Sequence, residues 1–212
     1  MCKTCENYSV YCTCVKKPLV IGLLGKAGSG KSTSAKHIRD KYGATVVSFA
    51  GPLKNLAKHV FGFSDAQLYG SAKDKETVDP RYGISPRTVM QRLGEGARLY
   101  IGSDVWFNAL KKVVTETYSS NNSSSVFVID DVRYINECER IKANKDWDSC
   151  ILKLVCTDSR SSADGTHPSE AEVDSVPSSL LTTTITSFIS YDSVDLLKKI
   201  DMVVPALGAK CV

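Results

Sequence analysis

The sequence contains no apolar run approaching the roughly 20 residues that a helix needs to cross a bilayer. Its opening stretch, MCKTCENYSVYCTC, is polar and lacks the apolar core of a secretory signal. Together these absences lead to the expectation of a cytoplasmic protein. Charge of one sign is not in excess either: 27 basic against 23 acidic residues leave a net +4. So mild a balance argues against a nucleic-acid coat or a membrane-surface protein, and neither partner is expected. No internal repeat is seen. What remains is 212 residues, 42% hydrophobic and 24% charged, enough for one α/β domain with a substantial core.

Cysteine is the one residue type in unusual supply, with eight in the chain. Cys138, Cys150, Cys156 and Cys211 are scattered, and most adjoin apolar neighbours, as small core or surface residues do. Cys2, Cys5, Cys12 and Cys14 crowd into the first 17 residues with spacing C-x2-C-x6-C-x-C. Four thiolates this close could hold a tetrahedral zinc. The intervals do not match the usual paired knuckles, so a reduced tail ahead of the domain is the preferred reading of residues 1–17.

Residues 18–212 read as strands alternating with helices. Pro18–Leu24, Val126–Ile129 and Ile151–Val155 are short apolar runs typical of buried strands, with Thr45–Ala50 and Leu181–Thr186 as two further strand candidates. Helical patterns cover Ser32–Tyr42, Pro52–Phe61, Pro86–Ile101, Asp104–Tyr118, Tyr134–Ala143 and Val194–Ile200. Residues 62–85 read as a loop with one short helix, and 157–179 as a polar segment. This alternation implies right-handed crossovers and a mostly parallel sheet in a three-layer α/β sandwich. A helical insertion spans 51–120.

Between the first strand and the first helix lies Gly25-Lys26-Ala27-Gly28-Ser29-Gly30-Lys31-Ser32-Thr33. It satisfies G-x-x-x-x-G-K-[ST] in the strand-then-helix context that the P-loop requires. Glycines let the backbone curl so that N–H groups point at phosphate, and the helix N-terminus adds to the field. Lys31 can reach the β- and γ-phosphates of ATP, and the Ser32 hydroxyl can ligate Mg²⁺. Such a metal site also needs an acid at a neighbouring strand end. VFVIDD supplies Asp130 and Asp131, and the spacing does not choose between them.

A guanine-reading N-K-x-D is missing. Asn144-Lys145-Asp146-Trp147 has tryptophan in the fourth place, follows a helix, and reads as a solvated turn. The roughly one hundred residues from Lys31 to Asp130 favour a nucleotide-type kinase instead. They contain Arg81, Arg87, Arg92 and Arg98, and planar guanidinium groups suit an acceptor phosphate.

GKAGSGKST, SFAGPLKNLAK, the MQRLG segment with Trp106 downstream, DDVRYINE and HPSE occur in that order. Together they resemble the deoxynucleoside monophosphate kinases of bacteriophages and other large DNA viruses, from about Leu19 to about Ile200. Asp131, Arg133, Asn136 and Glu137 match that family's D-V-R-[FY]-x-N-E. The resemblance implies transfer of the γ-phosphoryl of ATP to a deoxynucleoside 5′-monophosphate, in the host cytoplasm if the chain is viral. It implies that Arg133 holds a substrate phosphate and that Asp131 orients metal or acceptor, leaving Asp130 with Ser32 for Mg²⁺. Pro52, Leu53 and Lys54 would open the acceptor pocket, with Gln91 and Arg92 along its wall and Trp106 shaping it. Arg160 and the His167–Glu170 stretch would belong to a lid over the triphosphate, although His167 equally reads as a capping or surface histidine. The chain departs from the family's L-G-T-E at Leu93-Gly94-Glu95-Gly96, so Arg98 receives no role. Two other readings stand beside this one: a small-metabolite kinase such as a phosphomevalonate kinase, and a non-catalytic ATP-binding module that docks partners through its Cys-rich head. The oligomeric state is open between monomer and homodimer.

Overall fold

The computed structural model describes residues 17–120, 125–157, 168–187 and 193–210. The Cys-rich segment with Cys2, Cys5, Cys12 and Cys14, and the lid candidates Arg160 and His167, lie outside them.

Five strands form the sheet: β1 (Leu19–Leu24), β2 (Thr45–Val47), β3 (Val126–Val132), β4 (Asp148–Cys156) and β5 (Thr183–Ser187). They lie in the order β2-β3-β1-β4-β5, and every pairing is parallel. β1 is central and fully buried, as its unbroken LVIGLL run requires. Its side chains alternate between two cores. Leu19, Ile21 and Leu23 pack with Ala35, Ile38, Leu196 and Ile200. Val20 and Leu24 pack with Phe127, Ile129, Leu110 and Trp106.

Helices α1 (Lys31–Tyr42) and α9 (Val194–Lys210) cover the first face. The second is covered chiefly by α2 (Ala50–Phe61), α6 (Val105–Ser120) and α7 (Ile135–Ala143), with α5 (Pro86–Tyr100) and α8 (Pro168–Ser175) contributing. Two short helices, α3 (Asp65–Tyr69) and α4 (Ala72–Glu76), fill the 62–85 region where one was expected. Each opens on a serine capping box, Ser64 with Gln67 and Ser71 with Asp74, which satisfies the first-turn N–H groups that a five-residue helix cannot. Ala57, Phe63, Leu68 and Val89 give this insertion a small core of its own. No helix among the described residues is long and apolar enough to cross a membrane.

Several boundaries differ from the sequence reading, and four of the differences have a clear cause. β2 ends at Val47, three residues early, because the N–H groups of Phe49 and Ala50 turn away to the carboxylate of Asp131. α9 runs ten residues past Ile200 to Lys210, since Val203 and Val204 continue the apolar face that packs on the sheet. Part of the polar 157–179 segment is helical: α8 buries Val173 at 2% exposure in the second core. Asn144-Lys145-Asp146-Trp147 is a solvated turn only up to Asp146. Trp147 is 4% exposed in the core, where its Nε1–H donates to Ile141 O at 3.0 Å, and a residue so enclosed is unfit to read a base.

β3 carries a further irregularity. Gly22 of β1 pairs with Ile129 and Leu24 with Val132, so two steps along β1 match three along β3. The extra residue falls at Asp130 and Asp131. Successive residues of a regular strand face opposite ways, and a bulge relaxes that rule. It allows both neighbouring aspartates to line one cleft.

Candidate active site

The loop between β1 and α1 is shaped by glycines at specific places. A Cβ on Gly25 would meet Leu154 O at 2.7 Å and Ser29 Oγ closer still. Gly30 caps α1 at φ 90°, and a Cβ there would come within 2.5 Å of Leu196 Cδ2. A side chain at position 25 would press on the β4 backbone, and at position 30 any L residue would be strained by the positive φ and would push the Leu196 side chain aside. The first turn of α1 holds no acidic residue and its cap makes no side-chain hydrogen bond. The positive end of the helix thus meets no negative side chain of its own first turn, which suits it to an anion. Lys31, only 8% exposed, donates from Nζ to Gly25 O at 2.5 Å and to Lys26 O at 2.7 Å. An ammonium held inside the loop by its carbonyls is already close to where phosphate would sit.

The loop opens on a cleft of about 1580 Å³. Of the loop residues, Ala27, Gly28, Gly30, Lys31, Ser32 and Thr33 line it. Gly25 and Ser29 are buried outside its lining, and Lys26 pairs with Asp174 of α8 at 2.6 Å. Of the residues expected for the acceptor, Lys54, Gln91, Trp106 and Arg133 line the same cleft. Arg92 does not: it is exposed and lies outside the lining, because the helical turn carries it past the wall that Gln91 faces. Trp106, 8% exposed, donates from Nε1 to Gly94 O at 3.0 Å. It therefore fastens α6 to α5 at the cleft wall.

The two aspartates divide their work. Asp131 Oδ1 accepts from Phe49 N–H at 2.8 Å and Oδ2 from Ala50 N–H at 2.9 Å. No side chain of α2 caps that helix, so Asp131 caps it from 81 residues away. Burial pushes its carboxyl up, opposed by these two bonds and by Arg133. Asp131 thus acts on the placement of the helix that carries Pro52, Leu53 and Lys54. The Asp130 carboxylate bonds to no side chain among the described residues and lines the cleft. Burial, and then the charge of Asp131, raise it to about 6, while Lys54 and Lys31 draw it back. Lys54 is itself lowered by burial and by Lys75, and its Nζ lies 4.4 Å from the centroid of the Tyr69 ring.

The donors present fit Mg²⁺. Asp130 and the exposed Ser32 hydroxyl are hard oxygen donors on one cleft. No group of three or more His, Cys, Asp or Glu able to hold a metal occurs among the described residues. A small protein set of this kind suits an ion that takes its other oxygens from phosphate and water.

Arg98, Tyr134 and Glu137, to which the sequence assigns no individual role, also line the cleft. Glu137 lies within the D-V-R-[FY]-x-N-E match, yet its partner Arg98 lies 39 residues away, a separation that no local pattern reveals.

No protein-family model matches the chain. It is 34% identical over 176 residues to a protein of Acanthamoeba polyphaga mimivirus assigned as a deoxynucleotide monophosphate kinase, covering 76% of this chain and 84% of that one. It is 25% identical over 243 aligned residues to the deoxynucleoside-5′-monophosphate kinase of Escherichia phage T5, covering 85% and 93% of the two chains. A crystal structure from Thermus thermophilus shares the fold, with a TM-score of 0.54 at 17% identity, covering 90% of this chain and 98% of that one. With a P-loop and cleft arginines in one cavity and a relative this similar over most of its length, the chain belongs to the deoxynucleoside monophosphate kinase family of phages and large DNA viruses.

Proposed function

We propose that the chain transfers the γ-phosphoryl group of ATP to a deoxynucleoside 5′-monophosphate, giving the diphosphate and ADP. One observation carries this reading: Lys31 of the phosphate loop and Arg133 of the β3–α7 turn line a single cleft, in a chain related to named kinases of that substrate. The loop end takes the triphosphate. The other end, walled by α2, α5, α6 and the β3–α7 turn, takes the acceptor.

An oxygen of the acceptor phosphate attacks the γ-phosphorus as the bond to the β–γ bridging oxygen breaks, and the electron pair leaves with ADP. The acceptor is already a competent nucleophile, because the second pKa of a phosphate monoester is about 6. No general base is assigned. The protein's contribution is alignment and charge neutralisation. Lys31 leaves the loop carbonyls for the β- and γ-phosphates. Arg133 holds the acceptor phosphate, and Lys54 adds positive charge beside it. Asp130 and Ser32 would hold Mg²⁺, which supplies charge neutralisation at the phosphates when bound. Asp131 keeps the acceptor helix in register with the loop.

Steady-state phosphorylation of the four deoxynucleoside monophosphates, with ribose forms and phosphorylated metabolites as controls, tests the assignment. ADP release with at least one deoxynucleotide is expected. Release only with a phosphorylated metabolite, or none with any acceptor, would refute it.

A further inference from the structure

The proposed acceptor site contains an ion pair that the chemistry above does not use. Glu137, at the third position of α7, is 4% exposed. Its Oε1 accepts from Arg98 Nη2 at 3.1 Å. Its Oε2 accepts from the backbone N–H of Arg133 at 2.9 Å and of Tyr134 at 3.2 Å. Arg98 comes from α5, on the opposite wall, and its guanidinium lies 4.3 Å from the centroid of the Tyr134 ring. One carboxylate thus joins the helix that carries Arg98 to the turn that carries Arg133. Both arginines line the cleft.

Stability alone is a poor explanation for this arrangement. Burying a carboxylate beside one guanidinium costs desolvation that the pairing often fails to recover, and an apolar pair of similar volume frequently does as well. Capping α7 is a poor explanation too. A glutamine at the third helical position satisfies the same N–H groups without charge. A full negative charge is needed only to orient a guanidinium by a charge-assisted bond. The Arg98 side chain keeps 25% exposure, and its guanidinium is held between a carboxylate and an aromatic ring. That geometry leaves further N–H donors for an incoming oxyanion.

We propose that Glu137 is a positioning residue for the acceptor phosphate, and that Arg98, set by Glu137 and the Tyr134 ring, is a second guanidinium that binds it alongside Arg133. This rests on the acceptor reading of the cleft given above. Arg98 and Arg133 form a two-armed clamp whose spacing is fixed through one carboxylate. Glu137 touches neither substrate.

The test is the kinetic profile of Glu137→Gln, which keeps the backbone cap and removes the charge. Loss of a bond to a charged group corresponds to an acceptor KM raised roughly 10- to 100-fold. The ATP KM should stay within about twofold, with the melting temperature no lower than that of the parent. Arg98→Met leaves the cap intact and should raise the acceptor KM by a similar factor. The double variant should be no worse than the poorer single one, because both remove the same arm. Arg133→Ala serves as the control for the acceptor site itself. If Arg133→Ala impairs acceptor binding while Glu137→Gln and Arg98→Met do not, the clamp is wrong and the acceptor reading stands. Equal loss for both substrates in Glu137→Gln with a lowered melting temperature, and no acceptor effect in Arg98→Met, also overturns the clamp, leaving a structural carboxylate. If Arg133→Ala leaves the acceptor KM untouched, the acceptor reading fails and the clamp fails with it.

Discussion

The two ends of the cleft are built in different ways. At the phosphate end, every loop residue comes from one run of consecutive positions, 25 to 33, held between β1 and α1. At the end proposed for the acceptor, Lys54, Trp106, Arg98 and Arg133 come from α2, α6, α5 and the β3–α7 turn. The first end needs little beyond its own strand and helix. The second exists only because long-range bonds hold separate pieces in place: Asp131 to the start of α2, Trp106 to Gly94, Glu137 to Arg98. A site of the first kind should fail through chemistry when one residue is changed, whereas one of the second kind should fail through geometry.

The sharpest break of that comparison is Lys31→Ala. Removing one preorganised charge-stabilising donor from a phosphoryl-transfer site should lower kcat by at least about 10²- to 10³-fold, with a far-UV spectrum like that of the parent. A kcat within tenfold of the parent would show that the loop does not carry the chemistry. Next comes Arg133→Ala, expected to raise the acceptor KM about 10- to 100-fold and the ATP KM by less than about twofold. Equal losses would mean that the two ends are not separate sites.

A smaller effect should appear in stability against pH. Burial raises Glu137 from 4.5 to about 7, opposed by the bonds from Arg133 N–H and Tyr134 N–H and by Arg98. Its folded-state pKa lies above the unfolded one. Its contribution to stability is therefore complete below about pH 4.5 and is lost as pH rises through 7. Denaturant titrations across that window should show this group lowering the unfolding free energy by up to about 1.4 kcal/mol per pH unit. Glu137→Gln should remove that component of the slope. An identical slope in the variant would show that the carboxyl is not the titrating group. The smallest effect is expected at Asp174→Ala. Its bridge to Lys26 has side chains 50% and 63% exposed, and a solvated pair of that kind contributes less than about 1 kcal/mol. A larger loss would show that α8 supports the phosphate loop more firmly than its exposure suggests.

Some residues announced themselves and others did not. PLVIGLL followed by GKAGSGKS identifies a strand, a loop and a helix by local rules, and all three lie where those rules put them. VFVIDD identifies a buried strand with acids at its end, yet not the bulge that lets both aspartates reach one cleft. The resemblance implies that Asp131 orients metal or acceptor; that its oxygens also cap a helix 81 residues back in the chain is invisible in the sequence. Arg92 and Arg98 were equivalent as sequence, both arginines on one helix. A six-residue difference places the first outside the cleft lining and the second in it against Tyr134.

By itself the sequence determined the layered α/β class, the phosphate loop and the kinase chemistry that follows from it. Each depends on apolar periodicity or on the backbone freedom of neighbouring residues, and both are written in consecutive positions. Only the tertiary structure decided that Asp130 lines the cleft without a cap to make while Asp131 caps a helix. It alone decided which arginines meet in the cleft. Those outcomes depend on where strands bulge and how helices cross, and such distances are set by packing across the whole domain.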